Sequence, residues 1–222
     1  MATAVKIAIL ISGRGSNMKT LVQHSERAGV DVVLVGADRA CDGLDWADSH
    51  DIHTCCADRT RYQTKMQRED VLAEAIEKSQ ADWIFLAGFM AILSAEFISR
   101  FSGRILNIHP SLLPDFKGLD THQRVLEARH RHHGASIHLV TPGLDDGPVI
   151  LQAGLEVATS SADELASEVL KIEHLIYPAV MTALGTGTLT LSADQICWAA
   201  SAELPQPPEA GMSFITPFSL SS

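Results

Sequence analysis

The chain has 222 residues, 46% of them hydrophobic, enough for one substantial core, and 17 basic against 27 acidic residues leave a net charge of -10. That balance argues against general binding of nucleic acid or a membrane surface, where a basic face supplies the affinity, but permits a phosphate held at a helix start. Cys41, Cys55, Cys56 and Cys197 form no CxxC and no zinc-like spacing, and no segment is long enough to span a membrane, so a reduced, cytoplasmic protein is expected.

The elements are read in order. Val5–Ile11 is an apolar, β-branched strand stopped by Ser12-Gly13. A turn, Gly13-Arg14-Gly15-Ser16-Asn17, then opens a helix from Met18 to Ala28. Asp31–Val35 is a strand, Gly43–His50 a short helix, and Ile52–Cys55 another strand. Tyr62–Lys78 has helical apolar spacing through Met66, Val71, Leu72, Ala75 and Ile76. Trp83–Ala87 is a strand, and Gly88 to Leu93 leads into a helix over Ala95–Arg100. After the strand from Arg104, a helix is expected over Thr121–Arg129, strands over Ala135–Val140 and Val149–Val157, and a long helix over Asp163–Leu184. Ser160, Ser161 and Asp163 are its capping candidates. Thr188–Leu191 and Ile196–Trp198 suggest a hairpin, and from Leu204 the composition suggests a loosely held tail. One domain over residues 1–200 and a tail over 201–222 follow.

Apolar strands alternating with helices predict an α/β fold, an open, mostly parallel twisted sheet with helices on both faces. Ligands in such sheets bind outside the carboxyl ends of the strands. Three unusual segments fall there: the glycine turn, Gly88–Leu93, and Asn107–Pro114. In Ile105-Leu106-Asn107-Ile108-His109-Pro110, alternation puts Asn107 and His109 on one face and Leu106 and Ile108 on the other. Pro110 ends the ladder, which leaves His109 at the strand terminus. An amide and an imidazole side by side can hold an oxyanion. The plainer alternative is a strand end whose polar groups bond nearby backbone.

The glycine turn suits phosphate, with close backbone approach and free N–H groups at a helix start, yet it is neither a P-loop nor a full dinucleotide fingerprint. His109, His122, His130, His132, His133 and His138 invite a metal reading, but no HxxxH with an acidic helper occurs. His130-Arg131-His132-His133 is expected on a surface loop, and no metal is expected. Asp145-Asp146 between Gly143 and Gly147 is either an ordinary turn or a carboxylate facing His109, where it would raise the imidazole pKa.

Several stretches together resemble the folate-dependent glycinamide ribonucleotide formyltransferase family. They are Ile11–Asn17, Leu86–Met90, Leu106–Pro114, His133–Ser136 and Leu144–Gln152, with Glu173-His174 and Ile176-Tyr177-Pro178, and the likeness runs from Val5 to about Trp198. The resemblance implies a Rossmann-like formyltransferase fold and transfer of formyl from 10-formyltetrahydrofolate, the co-substrate, to the amine of 5'-phosphoribosylglycinamide. It implies that protonated His109 and Asn107 stabilise the oxyanion and that Asp145 raises the histidine pKa and helps relay the proton. Gly15, Ser16, Asn17, Leu170, Lys171, Ile172 and Glu173 match the nucleotide-binding positions. Lys65, Met90, Ala91, Ile92, Leu93, Asn107, Thr141, Pro142, Gly143, Leu144 and Asp145 match the folate-binding ones.

Three departures concern the folate tail. Ala91 stands where the family carries arginine, Lys65 where it often has arginine, and Lys117-Gly118-Leu119-Asp120 replaces Pro-Gly-Leu-His. Lys117 offers a substitute charge. The expected partners are small molecules, with neither nucleic acid nor membrane, and a homodimer is compatible. A formyltetrahydrofolate hydrolase should carry an extra N-terminal domain, and a methionyl-tRNA formyltransferase a C-terminal RNA-binding one. An oxidoreductase would leave Asn107, His109 and Asp145 unexplained. A non-catalytic folate- or nucleotide-binding protein should have lost one of those three.

Overall fold

The computed structural model describes residues 4–191, 195–202 and 213–215. Ten strands and six helices are described: β1 (Val5–Ile11), α1 (Ser16–Ala28), β2 (Val30–Ala37), α2 (Asp42–Asp48), β3 (Thr54–Cys56), α3 (Lys65–Ser79), β4 (Trp83–Leu86), α4 (Ala95–Arg100), β5 (Ile105–His109), α5 (Thr121–Glu127), β6 (His132–Leu139), β7 (Val149–Glu156), α6 (Ala162–Gly185), β8 (Leu189–Leu191), β9 (Ile196–Trp198) and β10 (Ser213–Ile215). One eight-stranded sheet runs in the order β10-β7-β6-β5-β4-β1-β2-β3, and β8–β9 form the expected hairpin. The pairs β3–β2, β2–β1, β1–β4 and β4–β5 are parallel, and β5–β6, β6–β7 and β7–β10 are antiparallel.

The central strands β1 and β4 are largely apolar because both sheet faces are covered, whereas β5, β6 and β7 also bury polar residues. Leu106 and Ile108 of β5 enter the core beneath α1, α5 and α6, whereas Ile105 enters the core beneath α3 and α4. The alternation read from the sequence therefore holds, and Asn107 and His109 share the face of Ile105. Tyr177 anchors α6 from below. Its buried hydroxyl donates to the carbonyls of Leu86 (3.1 Å) and Leu106 (3.2 Å), tying the helix to the ends of β4 and β5.

Several boundaries differ from expectation, each for a local reason. Helix α1 begins at Ser16, because Gly15 takes the left-handed conformation (φ 69°) that turns the chain directly into it. Helix α3 begins at Lys65, where Thr64 and Gln67 form a reciprocal capping box. Ser161 caps α6 by accepting from Glu164 N–H. Strand β6 starts at His132, so the expected surface loop over His130–His133 is half wrong: His130 and Arg131 are exposed, but His133 is a buried strand residue. In the tail, residues 213–215 are not loose but form β10 against β7. The rest of 203–222 lies outside the described residues.

Candidate active site

The strand order reverses between β1 and β4, which opens a crevice at their carboxyl ends. Three loops are laced together there. Ser12 N–H donates to Gly88 C=O (3.2 Å), Met90 N–H to Ser12 Oγ (2.8 Å), and Gly43 N–H to Gly13 C=O (3.2 Å). Helix α1 starts in this crevice with no side-chain cap and no acidic residue in its first turn, so its terminal N–H groups and positive dipole end are available to an anion. Asn17, in that first turn, is buried and donates from Nδ2 to Glu173 Oε2 on α6 (2.6 Å), while its Oδ1 has no partner. Burial pushes the Glu173 carboxyl up to about 7, against the opposing bond from Asn17. Of residues 170–173, Glu173 is bonded to this turn through Asn17. Ile172 lies in the core, Leu170 is half-buried, and exposed Lys171 pairs with Glu168 (2.9 Å).

One strand further along, polar groups cluster. His109 is 5% exposed, with Nε2 bonded to the Phe116 carbonyl (3.0 Å) and Nδ1 facing Asp145 Oδ2 at 3.4 Å. The carbonyl has no proton, so Nε2 carries one, and Nδ1 is the edge left for a ligand. Asp145 holds a positive φ of 45° and accepts from Gly118 N–H (2.9 Å). Gly147 fixes the loop behind it: a Cβ there would fall 1.7 Å from the Leu139 carbonyl oxygen.

His138, read above only as one of several histidines, belongs to the cluster. It lies opposite Asn107 in the β5–β6 ladder, beside a register shift between Ile137 and His138. Its Nδ1 donates to Leu139 C=O (2.9 Å), and its Nε2 lies 3.1 Å from the Asn107 side-chain amide. The same Nε2 is 3.6 Å from Asp145 Oδ1. The amide of Asn107 is thereby oriented by a partner no local sequence signal reveals.

The effect expected of Asp145 on His109 is present but does not prevail. Burial draws His109 below the usual imidazole value, and the Phe116 carbonyl and the Asp145 carboxylate oppose that without cancelling it. Asp145 does favour the charged ring, but the buried site outweighs it. Burial raises the Asp145 carboxyl, yet the His138 ring, the Gly118 amide and His109 together hold it below the ordinary value.

The loop after His109 is fixed from beneath by a buried network. Ser136 Oγ donates to Ser111 C=O (2.5 Å) and accepts from Leu113 N–H (3.0 Å) and Gln152 Nε2 (2.8 Å). Gln152 also donates to Leu113 C=O (2.8 Å). These two residues were quoted in matching stretches without a role.

The mouth of the crevice is different. Met90, Ile92 and Leu144 are more than half exposed, Ala91 is half-buried, and Leu93 is buried in the core, so it can offer a ligand only its backbone. Thr141, Pro142 and Gly143 form the loop leading to Asp145. Lys65 lies 3.7 Å from Glu69, whose carboxylate accepts from Ser94 N–H and Oγ. Lys117 pairs with Asp146, so its charge is committed to the loop and is no free substitute for the missing arginine. Among the described residues, no group of three or more His, Cys, Asp or Glu is arranged to hold a metal, and no helix is long and apolar enough to cross a membrane.

A doubly covered α/β sheet thus carries an uncapped helix start beside a buried amide–imidazole–carboxylate cluster. The chain belongs to the formyl transferase family, whose profile matches residues 5–181. It is 38% identical over 205 residues to the phosphoribosylglycinamide formyltransferase of Escherichia coli, covering 90% of this chain and 96% of that one. It is 37% identical over 199 residues to the trifunctional purine biosynthetic protein adenosine-3 of Gallus gallus, covering 87% of this chain but only 20% of that protein. Its structure superposes with a TM-score of 0.83 on glycinamide ribonucleotide transformylase 1 from Symbiobacterium toebii, at 32% identity over 89% of this chain and 95% of that one.

Proposed function

We propose that this chain transfers the formyl group of 10-formyltetrahydrofolate to the amine of 5'-phosphoribosylglycinamide, a step of purine biosynthesis. Membership of the formyl transferase family supplies the reaction class. The observation that carries the reading is the Asn107–His109–Asp145 cluster, separated by β4 from an uncapped helix start. In this reading the nucleotide phosphate takes the N–H groups of Gly15, Ser16 and Asn17, and Glu173 accepts from the sugar hydroxyls. The folate lies along 90–93 and 141–145, with Lys65 at its tail.

The free amine attacks the formyl carbon, a C–N bond forms, and the carbonyl π pair moves onto oxygen. Asn107 donates to that oxyanion, as does the Nδ1–H of His109 in the fraction of the protein that carries the imidazolium. The surplus ammonium proton passes toward Asp145, directly or through water. Collapse of the intermediate breaks the bond to folate nitrogen, which takes a proton back. One oriented donor of this kind contributes on the order of 3 kcal/mol to the transition state. No nucleophilic side chain is needed, since an amine attacks a formyl group directly.

The test is a formyl-transfer assay with 10-formyltetrahydrofolate, with and without 5'-phosphoribosylglycinamide. Deformylation that requires the acceptor is the expected outcome. Formate release without acceptor would make the chain a hydrolase, and folate binding with no turnover would make it a binding protein.

A further inference from the structure

Arg124 lies on α5, outside the polar cluster and on the exposed face of the helix. Its Nη1 nonetheless donates to the carbonyls of Lys117 (2.7 Å) and Leu119 (3.1 Å), and its guanidinium carbon sits 5.6 Å from the centre of the Phe116 ring. Two of the three residues so gripped, Phe116 and Lys117, serve the site, as does Gly118, held between Lys117 and Leu119. The Phe116 carbonyl accepts from His109 Nε2, the Gly118 N–H donates to Asp145, and the Lys117 ammonium pairs with Asp146.

This loop does not hold its shape unaided. Phe116, Gly118 and Asp120 all have positive φ (53°, 81° and 56°), and the two with a Cβ adopt that conformation only where surroundings impose it. A surface cavity of about 160 Å³ adjoins Phe116, lined also by Leu112, Asp115 and His130–His133. Leu119 is 74% exposed. The edge of Phe116 meets the His130 ring (4.8 Å), and Arg124 grips the loop backbone from outside, beyond the bonds the loop makes to His109 and Asp145.

We infer that Arg124 is a positioning residue for the transfer: its guanidinium fixes residues 116–119 so that the Phe116 carbonyl holds the Nε2–H of His109 while the Gly118 amide holds Asp145. The inference rests on the proposed function for its kinetics but not for its geometry. A misplaced reacting group costs rate rather than binding, so the signature is in kcat.

The groups facing His109 are Asp145 from its loop, His138 from β6, Arg124 from α5, and the pair of half-buried His122 and buried His133, bonded at 3.0 Å. A nearby cation lowers the His109 pKa, whereas a carbonyl acceptor raises it. Loss of charge and loss of positioning therefore move the imidazole in opposite directions. Arg124→Lys keeps the charge and loses the planar guanidinium that spans the two carbonyls and the Phe116 ring.

For Arg124→Lys we expect kcat to fall about tenfold with the nucleotide KM nearly unchanged. We expect the His109 pKa, followed by NMR of the ring nitrogens in the ligand-free protein, to move down. Arg124→Ala should regain part of its kcat when methylguanidinium is added. Wild-type kcat and an unmoved His109 titration in Arg124→Lys would overturn the inference, as would an upward move in Arg124→Ala with kcat retained. The NMR titration needs no turnover, so an inactive wild-type protein would count against the functional reading and not against this one.

Discussion

The two halves of the sheet build their parts of the crevice from different materials. The parallel half, β3-β2-β1-β4, offers backbone: an uncapped helix start, a left-handed Gly15, and loops laced by main-chain bonds. The antiparallel half, from β5 outward, offers side chains, with Asn107, His109, His138 and Asp145 held by carbonyls, amides and one another. Binding an anion needs many weak, permissive donors, and stabilising a charge that appears for an instant needs a few oriented ones. Changes in the first half should therefore act on KM and changes in the second on kcat.

The largest expected effect lies in the antiparallel half. Asn107→Ala should lower kcat about 100- to 1,000-fold, the effect of deleting one oriented donor, while the nucleotide KM stays close to wild type in steady-state assays. Loss concentrated in KM would break the division of labour.

In the parallel half, a Cβ at Gly43 would fall 2.5 Å from Ile11 Cδ1 and 2.7 Å from the Gly13 carbonyl oxygen. Gly43→Ala should push the nucleotide loop outward and raise the nucleotide KM about tenfold, on the order of the 1–3 kcal/mol of an overpacked contact, with kcat little changed. Initial rates across nucleotide concentrations would check it.

Glu173 sharpens the comparison, since it joins α6 to the binding half. A carboxyl raised from 4.5 to about 7 binds its proton more tightly folded than unfolded. Its contribution to stability is full below the unfolded value, is lost as pH rises through about 7, and amounts to about 3 kcal/mol at most. Thermal melts from pH 4.5 to 8.5 should show that loss in the native protein and not in Glu173→Gln.

The smallest effect belongs to the mouth. Ala91→Arg should lower KM for a polyglutamylated donor only about two- to fivefold at low salt, because exposed ion pairs contribute little. An unchanged KM would place the folate tail elsewhere.

Much of this was legible in the chain. Alternation along Ile105–His109 together with Pro110 is enough to put Asn107 and His109 on one face at a strand end, and the structure keeps them there. The sheet's parallel half follows from apolar strands separated by helices. The antiparallel turn after β5 does not, because nothing local in Ala135–Val140 tells direction. For the same reason His138 was missed: its partner Asn107 is 31 residues away and meets it only through the β5–β6 register. His133 looked exposed from its basic neighbours, yet the strand begins at His132 and buries it against His122. Backbone groups such as the Phe116 carbonyl carry no sequence signal at all.

The most direct test of the division between binding and chemistry is His109→Ala in single-turnover formyl transfer, paired with calorimetry of 5'-phosphoribosylglycinamide binding. The account predicts a chemical step slowed about 100-fold or more with the nucleotide Kd within about twofold of wild type. A wild-type transfer rate, or a rate lost only in proportion to nucleotide affinity, would contradict it.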